Sequence, residues 1–510
     1  MEPYIPLYMV IPLAAAFLIP VIGRFAGGFA RYITSVVFLF LTVMSFSFIF
    51  NGNHNILIYT IGGWKPVNNI PIAIYLVLDG FSSFMLSVIN LIAFLAAFYS
   101  ISYIRRYTAG NNYYALLCLM VAGMNGVVLT GDLFNLYVFL EIASIASYAL
   151  VAFGVEKEEL EASFKYQVLG GLASLFILMG IGLLYWTTGS LNMADISGIL
   201  QNLTGNKVIV FIQLLFIVGF GMKTAMVPFH AWLPDAHSSA PSPISSMLSG
   251  ILIKGIGLYV IVRLFFNVFV ISHQMAVLIT TIGTLSMVVG VFLAIGQWDL
   301  KRLLAYHSIS QMGYIVLGIG IGMLIVASGG DKMLAAFAMM GGLYHLINHA
   351  VFKGLLFMNA GAIEYGIGTR NLKKMGGLFR KMPVTSSTSL SASMAISGIP
   401  PFNGFFSKLI IILAAVKAGY YLLAALAVIV SIITLASFMK VQRYAFFNKP
   451  DTTENIKSVP FTMKFSMVAL ALLCILLSIL IVPAIREIVL MPAVHSLLEG
   501  SAYSSIISAL

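Results

Sequence analysis

Apolar runs of about 20 residues recur from one end of the chain to the other. At 1.5 Å per residue, a helix of that length crosses the roughly 30 Å hydrocarbon core of a bilayer. Hydrophobic residues make up 60% of the 510 positions and charged residues 9%, against roughly 25% charged in a soluble domain. The chain therefore reads as an all-α polytopic membrane protein. No polar stretch is long enough for a second, soluble domain.

The net charge of +11 raises the question of nucleic acid or anionic lipid. The basic residues are spread along short loops, which argues against a nucleic-acid partner. Cys118 and Cys474 are the two cysteines, and both lie inside apolar runs. They supply no iron–sulfur cluster, thiolate zinc site or disulfide framework, so no cofactor is expected. The first apolar run starts almost at Met1 without a basic leader, which reads as a retained span.

About fourteen spans are expected, near 4–22, 31–50, 72–103, 112–129, 132–152, 161–186, 208–228, 241–267, 275–296, 302–324, 333–363, 386–416, 419–447 and 461–485. One set of alternate loops holds most of the Lys and Arg, from Arg24, Arg31 and Arg105 through Lys301 and Arg302 to Lys464. The other holds Lys65, Lys207, Lys332, Lys417 and Arg486. The positive-inside rule then puts both termini on the non-cytoplasmic side of the cell membrane. Trp64, Trp186, Trp232 and Trp298 fall at span ends or loops, as an interfacial belt requires. "MVPFHAW" (226–232) and "IPPFNGF" (399–405) each interrupt an apolar run with Pro-Phe and have a lysine nearby. Two five-helix units follow, at 111–268 and 275–447, with three helices before them (1–110) and a last helix and tail after them (448–510). An odd helix count inverts the second unit relative to the first.

Removing loop charges leaves a short set of ionisable residues inside spans, and each is a functional hypothesis because burying a charge in hydrocarbon is expensive. Glu141 lies about nine residues into its apolar run, roughly 14 Å along a helix, too deep for a carboxylate to reach water. Lys223 sits five residues before Pro228, whose missing N–H frees carbonyls that can hold a cation or water. Lys254 is about 13 residues into its span. His345, His349 and Lys353 stand at i, i+4 and i+8 on one helix face. Two histidines at that spacing can bind zinc, but no third ligand accompanies them, and a hydrated proton path is the favoured reading over metal or packing. His307 can extend that line, and Lys408 follows the second interruption. The loop at 230–243 carries His230, Asp235 and His237. It reads as a helix-linking turn with a role in proton uptake, in preference to a metal site. Arg263 is expected to anchor at the non-cytoplasmic end. Asp79 is left open between an interfacial residue and a site near the opposite surface.

The segments "GDLFNLYVFLEIASIASYALVAF", "GMKTAMVPFHAWLPDAHSSAPSPISSMLSGILIKGIGLY", "KRLLAYHSISQMGY", "HLINHAVFKGLLF" and "GIPPFNGFFSK" resemble the antiporter-like subunits of respiratory complex I. They are most similar to the D-type subunit of Mrp-type sodium/proton antiporters, and the same module occurs in archaeal membrane-bound hydrogenases. The resemblance covers roughly 75–450. It implies two inverted five-helix repeats, broken seventh and twelfth helices and a central line of buried charge. It places Glu141 as the fifth-helix glutamate, Lys223 as its paired lysine, Lys254 as the eighth-helix lysine and Lys408 as the twelfth-helix site. His345, His349 and Lys353 fall in the eleventh-helix motif. The long lateral helix of the largest antiporter-like subunits is missing, which counts against those. The expectation is a subunit of a redox-driven complex that moves protons, with or without sodium coupling, across the bilayer beside other membrane subunits. A stand-alone Mrp exchanger, a small-solute transporter and a membrane scaffold without ion transport are the alternatives.

Overall fold

The computed structural model describes residues 2–25, 28–50, 56–64, 66, 71–203, 205–449, 456–499 and 505. Lys65, one of the loop cations, and most of the tail beyond 499 lie outside the described residues. Helices α1 (Leu7–Ile22) and α2 (Ala30–Phe50) lead to a small antiparallel pair, β1 (Leu57–Thr60) and β2 (Tyr75–Leu78), with Leu57 opposite Leu78. Next come α3 (Gly80–Tyr103), α4 (Gly110–Leu129), α5 (Leu133–Val151), α6 (Lys157–Thr188) and the short α7 (Met193–Leu200). Helices α8 (Lys207–Lys223) and α9 (Trp232–Ser239) flank the first Pro-Phe interruption. A continuous span over 242–268 contains α10 (Ser242–Met247), π-helical turns at Leu248–Leu252 and Lys254–Leu258, α11 (Tyr259–Arg263) and a third π turn at Leu264–Val268.

The second half holds α12 (His273–Ile295), α13 (Leu300–Ala327), α14 (Lys332–Ile367), the short α15 (Leu378–Lys381), α16 (Pro383–Ser397) and α17 (Asn403–Lys417). Helices α18 (Tyr421–Gln442), α19 (Phe461–Leu476), α20 (Pro483–Val489) and α21 (Met491–Leu498) complete the order. Polar side chains set many of the starts. Asp79, Asp132, Asn206, Ser272, Asp299 and Asp331 each accept a backbone N–H that the first turn leaves without a partner.

Among the described residues, twelve helical segments are long and apolar enough to cross a membrane. The sequence expectation of about fourteen differs because two apolar segments are interrupted. Helix α8 has 17 residues, and α16 and α17 have 15 each. Pro228 ends the first run, and Gly398, at φ 76°, turns the second before Pro400 and Pro401.

The segment 242–268 and helices α13 and α14 are almost wholly buried, while α2, α18 and α19 leave much of their apolar surface outside. Helix α14 packs against α13, α16, α17, α10 and α19, which makes it the axis of the bundle. Where α12 meets α13, a Cβ on Gly313 would overlap the Met287 backbone, so the two helices approach as closely as their main chains allow.

One buried ion pair joins distant parts of the chain. Arg263 donates to Asp79 through two nitrogens, at 2.6 and 2.8 Å, and both side chains are almost fully enclosed. Arg263 also bonds Tyr259 and Asn267, and Asn267 donates to the Ser496 carbonyl at 2.8 Å. Arg263 is therefore a cross-link between α3, α11 and α21, not the interfacial anchor its sequence position suggested. The reason is that Asp79, freed by the strand before it, caps α3 within reach. Asp79→Asn keeps the cap oxygen but leaves the guanidinium without its counter-ion, and should cost about 3–5 kcal/mol. Adding Arg263→Leu should recover more than half of that loss, read as melting temperature in detergent. A single variant as stable as the parent would refute the role of the pair.

Candidate functional site

Lys223 is the last residue of α8, the end at which a helix dipole favours a cation. Beyond it the chain cannot stay helical, because Pro228 has no N–H. Ala225 turns through φ 54°, and the loop is held by partners from elsewhere. The Trp232 indole donates to the Met222 carbonyl at 2.9 Å, and Val227 N–H donates to Ser286 Oγ at 2.9 Å. Trp232 is buried and stacks on Tyr166 with ring centres 4.1 Å apart. It braces the interruption from inside the protein and does not belong to an interfacial belt. The Lys223 ammonium donates to Ser144 Oγ at 2.9 Å and reaches Tyr148 Oη and Glu141 Oε1 at 3.4 Å. Glu141 also accepts from Ser174 Oγ, and its side chain is a quarter exposed.

Lys254 lies in the second π turn and donates to the carbonyl of Ser249, in the first. A π turn shifts the helical ladder and is a recurrent feature of functional sites. Facing it on α14 are His349 and Lys353, both fully buried. Lys353 donates to the Leu304 carbonyl at 2.6 Å. His349 stands within electrostatic reach of Lys254, Lys353 and His345. His345 bonds Ser407 Oγ at 2.9 Å and Gln311 Oε1 at 3.2 Å, and it feels the charges of Lys408 and Lys254. Lys408 reaches back across the second interruption, donating to the Ile396 carbonyl at 2.7 Å and Ser431 Oγ at 3.2 Å. His307 bonds Ser437 at 2.8 Å and lies near Lys353 and Lys408.

The structure thus brings Lys254, His349, His345 and Lys408 into one sequence of neighbours, with Lys353 and His307 beside it. Among the described residues no hydrogen bond or ion pair links Lys223 to Lys254, although Thr224 touches Gly257. His349 is buried beside the backbone of Ser308, and one ring nitrogen of His307 is buried without a protein partner among the described residues. The same holds for Gln311 Nε2 and the Asn403 amide. So many unpaired polar atoms in one region call for water to satisfy them.

A branch leads from this line toward the arginine-rich ends of the helices. His237 is fully buried, with no partner on either nitrogen among the described residues, and lies near Lys353, Lys254 and Lys301. The Lys301 ammonium donates to the Ala240 carbonyl at 2.8 Å and faces Glu364 at 3.7 Å. Arg370 lies 3.9 Å from Glu364 and 3.4 Å from Asp299. Outside them, a surface cavity of about 400 Å³ is lined by Lys165, Asp235, Asp299, Arg302 and Arg370. His230 stays in the α8–α9 interruption and joins neither group. Asp79 belongs to the structural pair with Arg263, far along the chain from this cavity.

This pairing of interrupted helices with a buried line of lysine and histidine can be set beside known proteins. Residues 130–434 match the family model described as NADH:quinone oxidoreductase/Mrp antiporter, TM. Residues 64–114 match one described as NADH-Ubiquinone oxidoreductase (complex I), chain 5 N-terminus. The chain belongs to the NADH:quinone oxidoreductase/Mrp antiporter family. It is 36% identical to the D-type subunit of the Na(+)/H(+) antiporter of Alkalihalophilus pseudofirmus, over 84% of this chain and 83% of that one. It is similar to a chain of the Mrp complex from Dietzia sp., with TM-score 0.88, 25% identity and 99% of each chain covered. It is also similar to a chain of the membrane-bound sulfane sulfur reductase, an archaeal respiratory membrane complex, with TM-score 0.87, 30% identity and 99% of each chain covered. The protein is accordingly a multi-pass membrane protein, similar to subunits of multisubunit membrane complexes.

For this family member, sequence reasoning misses Lys301 and Glu364. Lys301 falls among the loop cations because it follows Asp299 at the start of α13, yet the fold buries it. Glu364 has a usable signal. It lies eleven residues after Lys353, three turns on and nearly the same helix face. At the cavity mouth, Asp235 bonds Lys165 at 3.1 Å and Arg302 at 2.6 Å. Burial raises its carboxyl pKa, but the hydrogen bonds and charges of Lys165 and Arg302 outweigh that and hold it below the ordinary value. A depressed carboxylate contributes stability above its unfolded pKa and loses it as pH falls through the folded one. The difference in melting temperature between the parent and Asp235→Asn should therefore be level between about pH 7 and 5. It should shrink only below about pH 4, the ordinary aspartate range. A difference that vanishes already at pH 6 would show that these pairs do not hold Asp235.

Proposed function

We propose that this protein translocates protons across the membrane through its buried lysine–histidine line, inside a multisubunit complex driven by redox chemistry or an opposing sodium gradient. The observation that carries the reading is the nature of the lysines' partners. Lys254, Lys353 and Lys408 each face a backbone carbonyl, and among the described residues none of them lies within 4 Å of a carboxylate. A carboxylate would fix the ammonium in its charged form, whereas a neutral dipole solvates it while leaving the uncharged amine accessible. Groups held in that way can pass a proton on.

In this reading Glu141 and Lys223 form the first carrier pair, whose separation tunes how firmly the proton is held. Lys254, His349, Lys353 and His345 relay it, with His307 alongside, and Lys408 releases it toward the far side. Asp235 and His237 serve uptake from the cytoplasmic side, through Lys301 and Glu364, and His230 hydrates the α8 interruption. Counting the interrupted segments as spans gives fourteen. The units 111–268 and 275–447 are then inverted repeats, with both termini outside the cytoplasm. A second reading, a stand-alone Mrp-type sodium/proton exchanger, is supported by the 36% identity to the D-type antiporter subunit. Neighbouring genes for redox subunits, or for small antiporter subunits alone, distinguish the two.

In vesicles containing the whole complex, Glu141→Ala, Lys223→Ala and Lys408→Ala should each reduce proton translocation to background while the subunits still assemble. Undiminished pumping by an assembled Lys223→Ala complex would rule out the relay and favour a scaffold. Glu364→Gln, which leaves the relay intact, should slow uptake by about tenfold, the effect of about 1.4 kcal/mol on a barrier. An unchanged rate would remove Glu364 from the uptake branch.

A further inference from the structure

A second charged cavity lies well away from the ion line, where the ends of α2, α3 and α4 meet. It has a volume of about 380 Å³, and its wall includes Arg31, Arg105, Thr108, Asn111, Asn112 and Tyr114. Arg31 is in the first turn of α2, Arg105 follows the end of α3, and the two asparagines stand in the first turn of α4. Neither arginine has a carboxylate within 4 Å among the described residues. Arg31 Nε is buried and has no hydrogen-bond partner there. Both arginines line this one cavity beside Tyr114. Helix α4 is 20 residues long, its N-cap Ala109 offers no side-chain cap, and Gly110, its first residue, also lines the cavity.

Two like charges around one space repel each other, and an anion placed between them turns that repulsion into attraction. Guanidinium forks, amide and hydroxyl donors and an uncapped helix start all suit the oxygens of a phosphate. The location narrows the source. Three helix ends place the cavity at the level of lipid headgroups. From Arg31 the outer face of α2 continues as Tyr32, Val36, Leu39, Phe40 and Val43, all exposed and nearly all apolar. That stripe provides a surface for acyl chains directly below the cations, as basic pockets between spans do for anionic lipids.

We propose that this cavity binds the phosphate group of an anionic membrane phospholipid. The site is separate from the ion line and stands whether or not that line carries protons. The test is native mass spectrometry of the complex purified with its own subunits, delipidated and titrated with phosphatidylglycerol. Phosphatidylcholine and inorganic phosphate serve as comparison arms. The parent should retain phosphatidylglycerol, and Arg31→Gln/Arg105→Gln should lose about tenfold or more in its affinity, consistent with about 1 kcal/mol per basic residue near a membrane surface. Asn112→Asp, at an exposed position, puts a carboxylate in the cavity and should cause a similar loss, which keeps the proposal testable if the double variant fails to assemble. Equal phosphatidylglycerol binding by parent and variants would overturn the assignment, and so would equal retention of phosphatidylcholine. Displacement of the lipid by millimolar inorganic phosphate would assign the cavity to a free anion and overturn it as well.

Discussion

The rest of the structure depends on how an ammonium group is held inside a bundle that excludes water. An isolated charge there is costly, and the protein buries Lys223, Lys254, Lys301, Lys353 and Lys408 together with several histidines. The fold meets that cost mainly with carbonyl oxygens. Ser249 serves Lys254, Leu304 serves Lys353, Ile396 serves Lys408 and Ala240 serves Lys301. Among the described residues, carboxylates meet Lys223, through Glu141, and Lys301, through Glu364, and none of the other three.

Such carbonyls are scarce in a regular helix, where each is committed to the N–H four residues on. Two of the four come from departures from regular helix, while Leu304 offers its carbonyl from within α13 and Ala240 from the end of α9. Gly398 and the prolines after it end α16 so that Ile396 and Ser397 present oxygens to Lys408 and Ser431. The π turns at Leu248–Leu252 and Lys254–Leu258 do the same for Lys254 without ending the span. Glycine makes the second interruption compact, because any side chain at Gly404 would overlap the Ala395 carbonyl. Local departures from ideal helix and the placement of charge are thus one feature, and the tightly packed helices around them, such as α12 on α13, keep the geometry fixed.

Much of this was legible in the chain. Pro228 and Pro400–Pro401 announced the interruptions, and the depth of Glu141, Lys254 and Lys408 within apolar runs singled them out. The pairing of Glu141 with Lys223 followed from those depths and from the family resemblance. Other features were not legible, for definite reasons. The π turns have no sequence rule as strong as proline. Trp232 looked interfacial because tryptophan at a span end usually is, but here its indole satisfies a carbonyl that the interruption frees. Lys301 looked like a loop cation because burial at a helix start depends on what the end of α9 covers. Arg263 and Asp79 are 184 residues apart in sequence, and only folding brings them together.

By itself the sequence determined the solvent this protein lives in, where its helices must stop, and which ionisable side chains lie too deep to reach water. Those are properties of hydropathy, proline and length, and they act locally. The tertiary structure decided which of those side chains are neighbours, which take carbonyls and which take carboxylates, and which cations converge on a surface cavity. Those outcomes depend on packing between helices far apart in the chain, which no local pattern encodes.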